Sequence, residues 1–150
     1  MPVWNRDVSL GDDENLVVSL SAQHPNPPDH PNDTANEMTV SAKDFDNQAL
    51  VHVVYHAIRP NNNNGTVLTV EEIVPDPDRD CAGDVSELTQ RKEGDNLSVR
   101  VKKGIPHADY CYLIKAYVQV CDAHGECVPL HLTTSDPVIH NQTPGGPLPK

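Results

Sequence analysis

The sequence predicts an all-β protein, an antiparallel β-sandwich of about seven strands carrying a Pro-rich irregular arm and tail. Three observations carry this. Apolar residues alternate with period two in several short runs, and no stretch shows helical periodicity. Fourteen prolines and eight glycines in 150 residues punctuate the runs with turns. The third is the stretch 97–133, whose register can be worked out directly. Tyr110, Tyr112, Ile114, Ala116, Val118 and Val120 share one face, and Val128, Leu130 and Leu132 follow after Asp122-Ala123-His124-Gly125-Glu126. A three-residue loop Ala123-His124-Gly125, with Gly125 left-handed, sets the register in which Ala116 lies opposite Leu132 and every pair behind the turn follows. Val120 then faces Val128, Val118 faces Leu130 and Ala116 faces Leu132, so both strands bury one face. A two-residue turn would set Val120 against Pro129 and lose the match. The same register puts Cys121 opposite Cys127 on the outer face, within reach of a disulfide.

The elements follow in order. Residues 1–15 read as a polar N-terminal segment, with Gly11-Asp12-Asp13-Glu14 solvated. Leu16, Val18 and Leu20 make a first strand. Residues 23–36 hold Pro25, Pro27, Pro28 and Pro31, which exclude regular structure and define a long loop or arm. Met38, Val40 and Ala42 form a second strand. Residues 49–58 form a third, with Val51, Val53 and Tyr55 on one face and His52, Val54 and His56 on the other. Asn61 to Asn64 with Gly65 is an exposed turn. Residues 66–74 form the fourth strand, stopped by Pro75 and Pro77, and residues 81–90 are irregular or one short helical turn. Leu97, Val99 and Val101 alternate in the fifth strand; residues 109–120 and 128–133 are the sixth and seventh. The domain thus spans 16–140, and 141–150, with Pro144, Pro147 and Pro149, is a flexible C-terminal tail. This pattern points to an immunoglobulin-like sandwich.

The region 97–133 resembles a fibronectin type III domain. Pro106, a tyrosine four residues later at Tyr110, and the alternating Tyr112, Ile114 and Ala116 carry the likeness. The resemblance implies a corner in which Tyr110 hydrogen-bonds the backbone upstream. The tryptophan usual in that family's second strand is missing; the chain's single tryptophan is Trp4. The region also resembles immunoglobulin-like domains of tailed-phage virion proteins, through Gly104, Tyr110, Asp122, Gly125, Leu130 and Leu132. Each likeness is a pattern of fold and not of function.

A net charge of −11 argues against nucleic acid or anionic membrane as partner. No run reaches the roughly 18 apolar residues of a membrane span. Met1 to Asp7 lacks the basic and apolar regions of a secretory signal. The chain then reads either as a complete cytoplasmic product or as a piece of a secreted protein.

Candidate chemistry is sparse. Cys121-x-x-His124-x-x-Cys127 lacks the second ligand pair of a zinc knuckle, and the hairpin explains both cysteines without metal. With Cys121–Cys127 paired, Cys81 and Cys111 remain as a second pair, although a reducing cell would keep all four as thiols. His52 and His56 read as solvated strand histidines, and Asp76-Pro77-Asp78-Arg79-Asp80 as a solvated acidic loop without calcium-loop spacing. No catalytic motif occurs, so no enzyme, metal or cofactor is expected. Four sequons, at Asn32, Asn64, Asn96 and Asn141, are candidate glycosylation sites.

The expected function is therefore non-enzymatic protein–protein contact, with a capsid or neighbouring subunits as partner, a homo-oligomer included. The start without a leader, the acidity and the phage-like outline favour a tailed-phage virion surface protein, a capsid decoration or cement protein. The sequons and cysteines favour the alternative, an extracellular fibronectin type III module of a glycosylated receptor or adhesin.

Overall fold

The structure is a computed structural model, and it describes residues 3–11, 15–27, 30, 33–45, 48–59, 67–134 and 137–142. The fold is all-β, built from two facing sheets. The strands are β1 (Val3–Leu10), β2 (Leu16–Leu20), β3 (Glu37–Val40), β4 (Leu50–Ala57), β5 (Val67–Pro75), β6 (Thr89–Glu93), β7 (Asn96–Lys102), β8 (Asp109–Cys121), β9 (Cys127–Thr134) and β10 (Val138–Asn141). One helical turn, α1, spans Ala42–Phe45, and a 3-10 turn spans Val85–Glu87. One sheet runs β2-β1-β4-β7-β6 and the other β3-β10-β8-β5, with β9 also pairing β8.

Strands β9 and β10 lie in succession along the same edge of β8. The first pairs with Ile114 to Cys121 and the second with Asp109 to Cys111. The hairpin keeps the expected register throughout, from Ile114 opposite Thr134 to Cys121 opposite Cys127. Gly125, at φ 81°, takes the left-handed position of the turn. The alternating faces also hold. Val51, Val53 and Tyr55 of β4 and Leu97, Val99 and Val101 of β7 point inward, against Tyr110, Tyr112, Ile114, Ala116 and Val118 of β8.

Several expectations are corrected. Among the described residues there are ten strands rather than about seven, and the sheets are mixed: β1 runs parallel to β4, and β3 parallel to β10. Both parallel pairs join strands far apart in the chain, as parallel pairing requires. Part of the segment read as polar and N-terminal is a sheet strand, with Trp4, Arg6 and Val8 fully buried. Strand β6 begins at Thr89, at the end of the 81–90 segment expected to be irregular, and β10 ends in the expected tail, where Gln142 N–H still donates to Val40 O. The rest of the tail, 143–150, lies outside the described residues.

The Pro-rich loop is not a free arm in its described part. Pro25 O accepts from Asn5 Nδ2 at 2.8 Å, and Asn26 Oδ1 accepts from Asn5 N–H at 2.8 Å. Arg6 donates to Ala35 O and Thr34 O, both at 2.9 Å, and to Asn26 Oδ1 at 2.6 Å. Asp33 accepts from Trp4 Nε1 at 3.0 Å and from Thr39 N–H. Prolines exclude ladder bonding, so side chains of β1 satisfy the loop's backbone instead. Nearby, the hydroxyls of Tyr55 and Tyr112 hydrogen-bond across the two sheets. Burial raises the pKa of both phenols.

The corner at the start of β8 is formed. Tyr110 OH donates to Pro106 O at 2.8 Å. The same carbonyl accepts from Asn141 Nδ2 at 3.0 Å. Because a second donor remains, Tyr110→Phe should cost only about 1–2 kcal/mol, the lower part of the range for a lost buried hydrogen bond. Urea unfolding checks this; a native midpoint would mean the corner bond contributes nothing.

Candidate functional site

The predicted site residues other than Asn32 and Asn64 can now be placed. Both disulfides are present: Cys81–Cys111, with Cα atoms 5.9 Å apart, and Cys121–Cys127, with Cα atoms 4.0 Å apart. None of the four cysteines is free as a metal ligand or nucleophile. Cys81–Cys111 ties the 76–88 segment to β8. Gly83 lets that segment lie close, since a Cβ there would stand 2.5 Å from the Tyr110 ring and 2.7 Å from Asp109 O. Such disulfides fit an extracellular or otherwise oxidising environment.

The acidic loop is structural rather than merely solvated. Asp76 accepts from Asp78 N–H at 2.9 Å and from Arg79 Nε at 2.7 Å, and these bonds lower its pKa, the backbone one most. Arg79 also donates to Tyr112 O and Pro137 O. Of the sequons, Asn32 and Asn64 lie outside the described residues. Asn96 uses its Oδ1 to accept from Ala57 N–H at 2.8 Å. Asn141 is buried and its Nδ2 donates to Ile105 O and Pro106 O, so a glycan on that nitrogen is incompatible with this packing.

The histidines are more engaged than a solvated reading implies. His56 Nε2 bonds Asn5 Oδ1 at 2.8 Å, and its ring stacks on His24 at 4.2 Å. Burial lowers its pKa, helped by the His24 charge and opposed by Asp7 and Glu93. The His56 contribution is therefore complete above about 6.5, the ordinary value, and is lost as pH falls through the depressed folded value. His140 has the opposite sign. Burial disfavours its charge, but bonds to Asp109 at 2.8 Å and Glu37 at 3.4 Å outweigh that and raise its pKa. Its stabilisation is complete below about 6.5 and lost as pH rises through the folded value. His56→Gln should flatten the loss of stability in acid, read from urea midpoints as pH falls below about 6.5. An unchanged acid limb would rule out the His56 contribution.

Two concave places among the described residues bear on function. One is a cavity of about 300 Å³ at the end of the sandwich, lined by Asp80, Cys81, His107, Asp109 and Asn141 among others. Of these, Cys81 is oxidised, Asp109 holds His140 and Asn141 holds the corner. No nucleophile with an adjacent base is among them.

The other is the hairpin face, a groove of about 340 Å³ lined by Val120, Asp122, Glu126, Val128 and Leu130. Here the structure corrects the expected burial of β9. Val128 is 59% exposed, and Leu130 and Leu132 are only partly covered, with β2 the strand of the other sheet that chiefly approaches β9. The turn beneath is rigidly made. Asp122 N–H donates to Glu126 O at 2.9 Å, and Asp122 Oδ1 accepts from the His124 and Glu126 amides at 2.8 and 3.0 Å. The disulfide staples the next pair. Since Asp122 and Glu126 are a hydrogen-bonded pair, alternation makes Gln119 and Pro129 a non-bonded pair. Pro129 nitrogen therefore points to the open edge of β9, where it removes a donor.

The fold and sites together define an all-β, sandwich-like protein with two disulfides and an apolar hairpin face left partly open. No family model and no curated protein matches the chain.

Proposed function

We propose that this chain is a non-enzymatic, immunoglobulin-like module that works by protein–protein contact through the β8–β9 hairpin face. The carrying observation is the open apolar surface of Val120, Val128 and Leu130 on a stapled hairpin. Aliphatic side chains left uncovered in a patch on an acidic protein mark a contact surface. The immunoglobulin-like reading is supported by β4-β7-β6 facing β5-β8-β9 and by the tyrosine corner at the start of β8.

The setting we favour is a virion surface, where a small acidic module decorates a capsid. The two disulfides favour a second setting, an extracellular module of a receptor or adhesin. Affinity purification from the native source, with wild type beside Val128→Asp, tests both. The variant should fold within about 0.5 kcal/mol of wild type, as an exposed substitution, yet lose the wild-type partner. A lost capsid subunit supports the virion, a lost cell-surface or matrix protein the extracellular module. Identical recovery of every partner would refute contact through this face.

A further inference from the structure

Resting on that reading of the hairpin face, we infer that its partner presents a cationic amphipathic segment: aliphatic side chains flanked by lysine or arginine. The groove combines Val120, Val128 and Leu130 with two exposed carboxylates, Asp122 and Glu126. From Ala116 to Thr134 the chain has no lysine or arginine, nor has β2, the element facing β9. An apolar floor with an acidic rim, on a stretch that carries no lysine or arginine of its own, is complementary to an apolar segment bearing positive charge. Three other occupants fit less well. An added strand would need the open edge of β9, and Pro129 interrupts its donors there. A second copy would bring another −11 charge against the same acidic end. An anionic membrane is repelled for the same reason.

The test is an amide NMR titration of the intact oxidised protein with a 14-residue amphipathic peptide of leucine and lysine. Its leucine–glutamate counterpart is run in parallel. Perturbations should centre on Val120, Asp122, Glu126, Val128 and Leu130 with the lysine peptide and be absent with the glutamate one. Val128→Asp is the deciding variant, because it takes the net charge from −11 to −12 while removing apolar contact. Docking in the groove predicts about tenfold weaker binding, the fold-change for losing a buried valine. Asp122→Asn with Glu126→Gln should also weaken binding while keeping the turn's acceptor oxygen at position 122. Equal or tighter binding to Val128→Asp, or perturbations spread over the surface, would reduce the effect to bulk attraction and overturn the inference. Binding of the glutamate peptide at the hairpin would overturn the partner's chemistry and leave contact through this face standing. Silence of the hairpin resonances with both peptides would overturn the inference as well, with the proposed function still decided by the native-source comparison.

Discussion

Replacing Arg6 with methionine should destabilise the protein by about 3–5 kcal/mol, the range for breaking a buried charged network by removing one partner. Arg6 is fully buried between the sheets and donates to Ala35 O, Thr34 O, Asn26 Oδ1 and Asn5 O, all within 2.9 Å. Burial pulls its pKa below the ordinary value, offset by the Asp33 charge, and an arginine stays protonated even so. A methionine of similar length fills the space. It cannot restore the acceptors, because three of them are backbone carbonyls that no second substitution can make apolar. Each orphaned buried acceptor costs about 1–3 kcal/mol unless water reaches it.

The loss should appear first in the Pro-rich loop. Faster proteolysis between residues 23 and 36 is expected before global unfolding, since Arg6 holds that loop from both ends. Arg6→Lys should fall between, because one ammonium cannot reproduce the planar fork. Equilibrium unfolding in urea is the measurement. A change below about 1 kcal/mol in Arg6→Met would show that the network contributes little net stability, as in replaced buried ion pairs.

The second large effect is expected from the Cys81–Cys111 pair. Its cysteines are 30 residues apart, against six for the hairpin pair. Loop-closure entropy then assigns roughly 3–4 kcal/mol to the first bridge and about 2 kcal/mol to the second. The larger bridge also anchors the segment bearing Asp76 and Arg79, so cutting it exposes the carbonyls of Tyr112 and Pro137. Unfolding midpoints of the two double alanine variants should therefore rank with Cys81/Cys111 the lower. Under graded reduction the order of cleavage should be reversed, the hairpin opening first, because Cys127 is exposed whereas Cys111 is buried. A hairpin variant less stable than the Cys81/Cys111 variant would contradict the loop argument.

How much of this was legible beforehand divides along the range of the interaction. Alternation in β4, β7 and β8 was readable, because an inward side chain every second residue is a local pattern. The hairpin register and the Cys121–Cys127 pairing followed from one turn, since a turn of known length sets every opposite pair behind it, whereas Cys81 and Cys111 were paired only as the two cysteines left over. Arg6 hid β1. Trp4, Arg6, Val8 and Leu10 alternate, but a charge in an inward position breaks the apolar pattern by which a strand is recognised. Strand β6 was hidden for the opposite reason. It is an edge strand with neither face covered, held by backbone pairing with β7 and almost devoid of apolar residues. The signal at Asn141 was misleading, because a sequon and a buried donor to Pro106 O share the same residue.

The sequence by itself thus determined the alternation of β4, β7 and β8, the hairpin register and the Cys121–Cys127 pair, all local or one turn away. Only the tertiary structure decided that Pro25, Asn26 and residues 33–35 fold back onto β1, that Asn141 is core, and that the face of β9 stays half open. Each of those depends on which distant strand arrives opposite. The polar groups of a loop, or the apolar ones of an edge, carry no local mark of the partner that will or will not cover them.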